Sequence, residues 1–413
     1  MAEADPPKKI DIGTQSEDDV QQFVEDAFSS DFVFRSPQHL KGGRHKETTD
    51  VFVLFDDVAL PIQVKAQALN ADGTTTAEDP HWTKRNLGKA VSQVKGAIRT
   101  IKAGKIVRLE NNRRGAVQFS TKMFRYVYGL VVMNHASSAF AAEELAPELA
   151  NVGAPVHVLS FRDFYNLNLV LDTPHDLVGY FEMRTDVLIP TFHPKVHEEQ
   201  PVFEYYLDHF EDLTSFRAKQ RGEERSPELF KEHAEALRQI YRGEYADLDA
   251  SYFIDKIIDW THQVDDGSAA PFDNAERDYV AVATYLGRLV RPRRAYIGKA
   301  FIEAIKRAGE SNEDDFAQFS SQRRSDCLLL LASTCPDDKR KQRNKDLLDL
   351  LWLLKATRQV RVAMGIVTEA GFGRGRSYDF ILIDEDPQLV ASRADYEEIK
   401  RHGEDLFGTT TPR

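Results

Sequence analysis

The segment that most restricts the fold runs from Asp50 to Ile101. Asp50-Val-Phe-Val-Leu-Phe55 is apolar and β-prone, Asp56-Asp57 makes a turn, and Ala59-Leu-Pro-Ile-Gln-Val-Lys65 returns. Two such runs joined so tightly pair as an antiparallel hairpin. After a polar loop, Ala68–Pro80, the residues Leu87, Val91, Val94, Ile98 and Ile101 keep a 4-3-4-3 spacing. That spacing predicts a helix over 84–103 with one apolar face. A hairpin, a crossover helix and a further apolar run, Tyr126–Met133, make a layered α/β unit.

The surrounding chain extends this unit. Residues 1–14 read as a flexible tail. Ser16 is the expected N-cap of a helix in which Val20, Phe23, Val24, Ala27 and Phe28 repeat at helical spacing. Ser36–His45, with Pro37 and Gly42-Gly43, reads as a loop. Val156–Ser160 is a second late strand, with helices expected over 138–150 and 162–171 and a shorter one after Pro174. The predicted organisation is an α/β domain over 15–190 with a mixed sheet flanked by helices, and a linker around His193–Pro201. A mainly helical region over 200–320 follows, with helices at 226–242, 250–263, 274–290 and 294–309 and a break at Pro292. A small α/β region over 321–413 ends the chain, with strands at 327–332, 361–368 and 378–383 and a helix at 338–355.

Composition sets the class. In 413 residues, 42% are hydrophobic and 29% charged, the balance of a globular protein. No apolar run approaches the ~20 residues that cross a bilayer, and MAEADPPKKIDIG has no apolar core, so neither a membrane protein nor a secretory signal is expected and the expected location is cytoplasmic. Cys327 and Cys335 have no metal-ligand spacing and are expected as reduced thiols. The net charge of −12 argues against a nucleic-acid partner, but its distribution reverses that. Between His81 and Arg125 twelve lysines and arginines face one acid, Glu110. Charge effects are confined to about 8–10 Å by salt, so a local basic stripe in an acidic protein still neutralises phosphates. Lys95, Arg99 and Lys102 fall at i, i+4, i+7 on one helix face, and Lys84 and Arg85 precede them; a solvated basic helix is the plain alternative.

The candidate chemistry lies on the hairpin. Metal-dependent phosphodiester hydrolysis needs a divalent ion held by hard oxygens and a cation for the charge that builds at the phosphoryl group. A hairpin brings Asp50, at the start of one strand, beside Gln63 and Lys65 near the end of the other, and alternation puts 63 and 65 on one face. Gln63 offers an amide oxygen, Val64 its carbonyl and Lys65 an ammonium.

Thr49-Asp50 followed by Gln63-Val64-Lys65 resembles the PD-(D/E)XK nuclease superfamily, in its Q-x-K variant, over residues ~15–185. The stretch His81-Trp-Thr-Lys-Arg-Asn-Leu-Gly-Lys-Ala-Val-Ser-Gln-Val-Lys-Gly-Ala resembles the Trp…Lys-Ala…Gln-x-x-Gly-Ala helix of bacterial nuclease-like proteins. The resemblance implies a restriction-endonuclease-like domain that hydrolyses DNA with Mg²⁺ or Mn²⁺. Asp50, Gln63 and Lys65 would be catalytic, with Asp50, Gln63 and Val64 on the metal and Lys89 and Gln93 in support. A first-helix glutamate is also implied; Glu25 is the best placed, and Glu17 and Gln21 reach the same face. Double-stranded DNA is the implied partner and restriction or antiphage defence the implied setting; a homodimer or larger assembly is left open. The neutral Gln63 keeps two alternatives in view: a nuclease fold without catalysis that binds nucleic acid or acts as a scaffold, and an RNA nuclease. A buried hairpin whose Lys65 only snorkels is the plain structural reading.

Other motifs are poorer. Gly371-Phe-Gly-Arg-Gly-Arg376 has a phosphate-loop look without the Lys-Ser/Thr ending. Asp379, Asp384, Glu385 and Asp386 bracket the last strand and read as an acidic strand end. His193 and His197 have a zinc spacing that Pro194 spoils.

Overall fold

The computed structural model describes residues 12–67, 80–111, 113–134, 153–184, 199–220, 227–260, 275–321, 326–371, 377–384 and 393–407. The chain is mixed α/β and divides into two units, Met1–Tyr245 and Ala246–Arg413.

The first unit begins with helix α1 (Ile12–Phe28). Strands β1 (Val33–Arg35), β2 (Gln38–Lys41), β3 (Arg44–Glu47), β4 (Val51–Phe55) and β5 (Val58–Ala66) precede helix α2 (Pro80–Lys102). Short strands β6 (Ile106–Arg108), β7 (Glu110–Asn111), β8 (Gly115–Ala116) and β9 (Tyr126–Val127) lead to β10 (Gly129–Asn134) and β11 (Val156–Ser160). Helices α3 (Phe161–Asn168), α4 (Pro174–Met183), α5 (Glu199–Asp208), α6 (Phe210–Gln220) and α7 (Pro227–Arg242) complete it. The main sheet has the order β1-β4-β5-β10-β11, with β9 also on β5. β1, β4 and β5 form an antiparallel meander, whereas β5, β10 and β11 run parallel. The α2 crossover makes the parallel pairing possible, since two parallel neighbours cannot be joined by a tight turn.

Both faces of the central strands are covered, which is why β4 and β10 read as unbroken apolar runs. On one face Phe34, Phe52, Leu54, Ala59, Val131 and Met133 pack under Leu87, Val91, Val94, Ile98 and Ile101 of α2. Gly129 lets that helix approach: a β-carbon there would overlap Val94 and Val156. α1 and α3 pack on β5 and β10 from the other face.

Several expectations need correction. Ser16 does not open α1, which starts at Ile12; Ser16 is buried instead and its Oγ accepts from Asn134 Nδ2 at 2.8 Å. The expected loop Ser36–His45 is largely the β2–β3 hairpin, and β1 precedes it. The expected helix 138–150 lies outside the described residues; β10 and β11, which flank it in sequence, pair directly. The expected boundary near 190–200 does not divide the units. Arg184 donates to Glu199 through Nε and Nη2 at 2.8 Å each, and Tyr180 also donates to Glu199, all of them buried, so α5 is tied to the end of α4.

The second unit contains helices α8 (Leu248–Trp260), α9 (Ala275–Gly287) and α10 (Arg291–Ser311), then β12 (Asp315–Ser321) and β13 (Asp326–Ser333). Helix α11 (Arg340–Arg358), β14 (Val362–Glu369), β15 (Tyr378–Ile383) and α12 (Arg393–Phe407) follow. The sheet order is β12-β13-β14-β15, with only β13 and β14 parallel. The expected separation at 320 is absent because α10 packs on β12 and β13. The expected break near Pro292 is observed: α9 ends at Gly287 and α10 starts at Arg291, with Pro292 in its first turn, where its missing N–H costs nothing. No described helix is long and apolar enough to cross a membrane.

Candidate active site

Several chain segments meet at one end of the main sheet. β4 begins just after Asp50, β5 ends after Lys65, and β10 ends at Asn134, level with Ala66. β1 ends at Arg35 opposite Val51, and α1 brings Ser16 and Glu17 to the same end through the Ser16–Asn134 bond. Register places these groups together: Val51 pairs with Ile62, so Asp50, one residue before it, comes opposite Gln63.

The Asp50 carboxylate is the hub. Its Oδ2 accepts from the Val64 backbone N–H at 2.7 Å and from the Gln63 side-chain amide. Thr49 Oγ1 donates to the Ile62 carbonyl at 2.6 Å and locks the two strand ends in register. Asp50 is 9% exposed and Gln63 2%. Burial raises the Asp50 carboxyl above the usual range, against the opposing pull of the Val64 N–H, the Lys65 charge and Gln63. Lys65 is half-buried, and its Nζ donates to the Val64 carbonyl at 3.0 Å.

Glu17 completes the group. Burial raises its carboxyl first, and the negative charges of Asp50 and Glu47 raise it further, while Arg35 and Lys65 pull it down. Glu17 is therefore within electrostatic reach of both Asp50 and Lys65. The expectation for Glu25 is corrected here. Glu25 lies eight residues further along α1, about 12 Å at 1.5 Å per residue. It accepts from Gln21 Nε2 at 2.6 Å and Ser30 Oγ at 3.0 Å, which engages both of its oxygens at the far end of the helix.

The donor set suits Mg²⁺ or Mn²⁺ in kind: the Asp50 carboxylate, the Gln63 amide oxygen and the Val64 carbonyl are all hard ligands, and Glu17, 4.0 Å from Arg35, adds negative charge within electrostatic reach. Two features are less typical of a resident metal. Among the described residues no group of three or more His, Cys, Asp or Glu side chains is arranged to hold a metal. The Val64 carbonyl is also engaged by Lys65. Gln63 explains the first feature: an amide can donate to Asp50, whereas a glutamate there would repel it.

The support expected from α2 is only partly placed. Lys89 and Gln93 are exposed, and neither hydrogen-bonds with Asp50, Gln63 or Lys65. Gly129, at the start of β10, lies under Val94 and Ile98, and Lys65 is level with Met133, four residues on. At ~3.3 Å per residue this is about 13 Å. The Lys95, Arg99 and Lys102 stripe accordingly lies toward the end of the sheet remote from Lys65, and Lys102 Nζ donates to the Gly153 carbonyl at 2.8 Å before β11. Lys84 and Arg85, both exposed, lie in the half of α2 nearer the site.

Among the described residues the remaining candidates do not gather into a site. Asp379 is buried and held by Arg340, with Nε at 2.7 and 2.9 Å from its oxygens, and by Arg343 Nη2 at 2.9 Å, a closed ion-pair network. Residues 372–376 of the glycine-rich segment, Glu385, Asp386, His193 and His197 lie outside the described residues. Cys327 is buried, and burial pushes its thiol up to about 12; both cysteines are free.

A stability prediction arises from Asp50. A carboxyl whose folded-state pKa is raised favours the fold while it is neutral, below its ordinary pKa, and withdraws that contribution as pH rises through the folded-state value. The amide of an Asp50→Asn variant would keep an oxygen to accept from Val64 and Gln63 and would stay neutral at every pH. In metal-free buffer Asp50→Asn is expected to melt with wild type near pH ~3, below the ordinary Asp pKa. At neutral pH it should be more stable by about 1 kcal/mol, the usual size of such a gain. Melting curves across pH check this; a variant less stable than wild type at neutral pH contradicts the strained-carboxylate picture.

Comparison with protein-family models, with curated proteins and with solved structures finds no match.

Proposed function

We propose that the first unit is a metal-dependent nuclease of the PD-(D/E)XK type that hydrolyses phosphodiester bonds in DNA. The observation that carries the reading is the convergence of Asp50, Gln63 and Lys65 at one strand end, with Glu17 brought to them by a different element. A carboxylate raised by burial beside a lysine ammonium is the kind of perturbed pair that marks functional sites. The mixed sheet covered by helices on both faces agrees with the fold that the resemblance implies.

In this reading Asp50, the Gln63 amide oxygen and the Val64 carbonyl would hold Mg²⁺, which when bound supplies Lewis-acid polarisation of phosphate and water. Glu17 contributes negative charge from the opposite side of the strand ends. Lys65 has a flexible four-carbon stem, so its ammonium can leave the Val64 carbonyl for a phosphate oxygen and offset the charge that builds there. Water forms a new bond to phosphorus as one ester bond breaks, giving a phosphomonoester end and a hydroxyl end.

The test is incubation of the full chain with supercoiled plasmid and Mg²⁺ or Mn²⁺, with chelator as control. Metal-dependent nicking or linearisation is expected. Intact plasmid under both metals removes the DNA nuclease reading, and a parallel single-stranded RNA substrate separates an RNA nuclease. The engagement of Asp50 by Gln63 and of Val64 by Lys65 favours a second reading, a nuclease fold that binds DNA without cutting it. That reading predicts metal-independent binding and no product. Restriction or antiphage defence is the setting that the resemblance suggests for either.

A further inference from the structure

The β2–β3 hairpin leaves the main sheet at the rim of the candidate site. Ser36 N–H donates to the Asp50 carbonyl at 3.0 Å, Thr48 N–H donates to the Pro37 carbonyl at 2.7 Å, and Ser36 has φ 47°. That turn redirects the chain, so β2 pairs with β3 and β6 in a separate three-stranded sheet. The tip is Gly42-Gly43, with φ 59° and 76°. Positive φ at both central residues makes a tight two-residue turn, which only glycine adopts without strain.

The charges on this hairpin break the ordinary rule for cross-strand pairs. Lys41 lies directly opposite Arg44, and His39 opposite Lys46. Residues opposite one another share a face, as do alternate residues along a strand. Lys41, Arg44 and Lys46 therefore crowd one face, and like charges set opposite are destabilising. All three are exposed, and none forms an ion pair with a described residue. The one acid of β3, Glu47, is on the other face opposite Gln38 and is engaged by Ser36 Oγ at 2.6 Å. Burial and the charges of Lys46, Lys41 and Lys105 all push His39 below its ordinary value, an independent sign that these cations gather. A local arrangement that costs stability without compensation among the described residues points to a compensation from a bound partner.

We propose that the β2–β3 hairpin is an arm that grips the sugar-phosphate backbone of duplex DNA beside the candidate site, through Lys41, Arg44 and Lys46. This rests on the nuclease reading and adds the path of the substrate to it. From the stem at Gln38 and Glu47 to the tip, three residues span ~10 Å, about three phosphates of one strand at 3.4 Å each along the axis. The arm holds phosphates and reads no bases, because lysine and arginine on a strand exposed at a tip have no fixed groove position. It acts in binding and leaves the chemistry to the strand ends.

The experiment is an anisotropy titration of a labelled duplex with the full chain in chelator, over a range of salt concentrations. The variants are K41Q/R44Q/K46Q on the arm and K95Q/R99Q/K102Q on α2. The arm variant should flatten the log–log salt dependence by ~2–3, at ~0.9 per lost contact, and weaken every duplex sequence alike. The α2 variant should keep a slope within ~0.9 of wild type; an α2 variant that loses the larger share of the slope moves the DNA path to α2 and overturns the arm. The single K46Q should remove ~0.9 of the slope, which guards against an unfolded triple variant; circular dichroism checks both. An arm variant that is folded and has the wild-type slope overturns the arm and leaves the nuclease reading standing. Wild-type protein that neither binds duplex nor cuts plasmid overturns both.

Discussion

Lys65→Ala is expected to abolish metal-dependent cleavage, with a loss on the order of 10²–10³ in rate, while duplex affinity and melting temperature stay close to wild type. The reasons are local. Lys65 is half-buried, and its ammonium donates to the carbonyl of its own neighbour Val64. Losing that bond removes little from the fold, since β5 is held by β4 on one side and β10 on the other. The charge of Lys65 acts on Asp50 and Glu17, so its removal also takes a nearby cation from two carboxylates. Lys65→Arg is the informative companion: it keeps the charge but widens the head group, and should leave duplex binding unchanged and restore cleavage only in part. Single-turnover cleavage with saturating DNA separates the chemical step from binding. A folded Lys65→Ala protein that cuts at the wild-type rate eliminates the proposed active centre.

The second large effect distinguishes two glutamates on one helix. Glu17→Gln is expected to reduce cleavage by about tenfold or more, the scale of a lost charge contact in a site, and to weaken Mg²⁺ dependence. Glu25→Gln should leave cleavage close to wild type. Glu17 senses Asp50 and Lys65 directly. Glu25 is engaged by Gln21 and Ser30 at the other end of α1. Glu17→Gln also removes a carboxylate raised by burial, so its activity loss should come without a loss of stability at neutral pH. Titrating Mg²⁺ in the cleavage assay for both variants gives the answer. Equal activity in Glu17→Gln and wild type would remove Glu17 from the site, and a large loss in Glu25→Gln would reverse the assignment.

The parts of the fold that were legible in the chain are those with strong periodicity. The 4-3-4-3 spacing of Leu87 to Ile101 predicts α2, and all five of those residues are buried. The Asp56-Asp57 turn predicts the β4–β5 pairing, with Phe55 opposite Val58. In the second unit the last strand is observed over Tyr378–Ile383 as expected. The hairpin at Gln38–Glu47 is not legible in this way because Leu40 is the lone apolar residue of its two strands, so alternation carries no signal there. The available signal was Gly42-Gly43 between two runs of equal length, which is hairpin punctuation as much as a loop.

The sequence by itself determined the pairing of Asp50 with Gln63 and Lys65, because a two-residue turn and strict alternation leave one register for the hairpin. It also determined that a helix must cover that hairpin, since the apolar stripe of α2 has to be buried. Tertiary structure alone decided which glutamate of α1 reaches the strand ends. Both share a helix with a buried apolar face, and only the docking of Ser16 on Asn134, 118 residues away, sets that helix along the sheet. It decided as well that the Lys95, Arg99 and Lys102 stripe lies remote from Lys65 and that Lys41, Arg44 and Lys46 project from the rim instead. The positions of charges on separate elements depend on how those elements dock, and local periodicity cannot specify that.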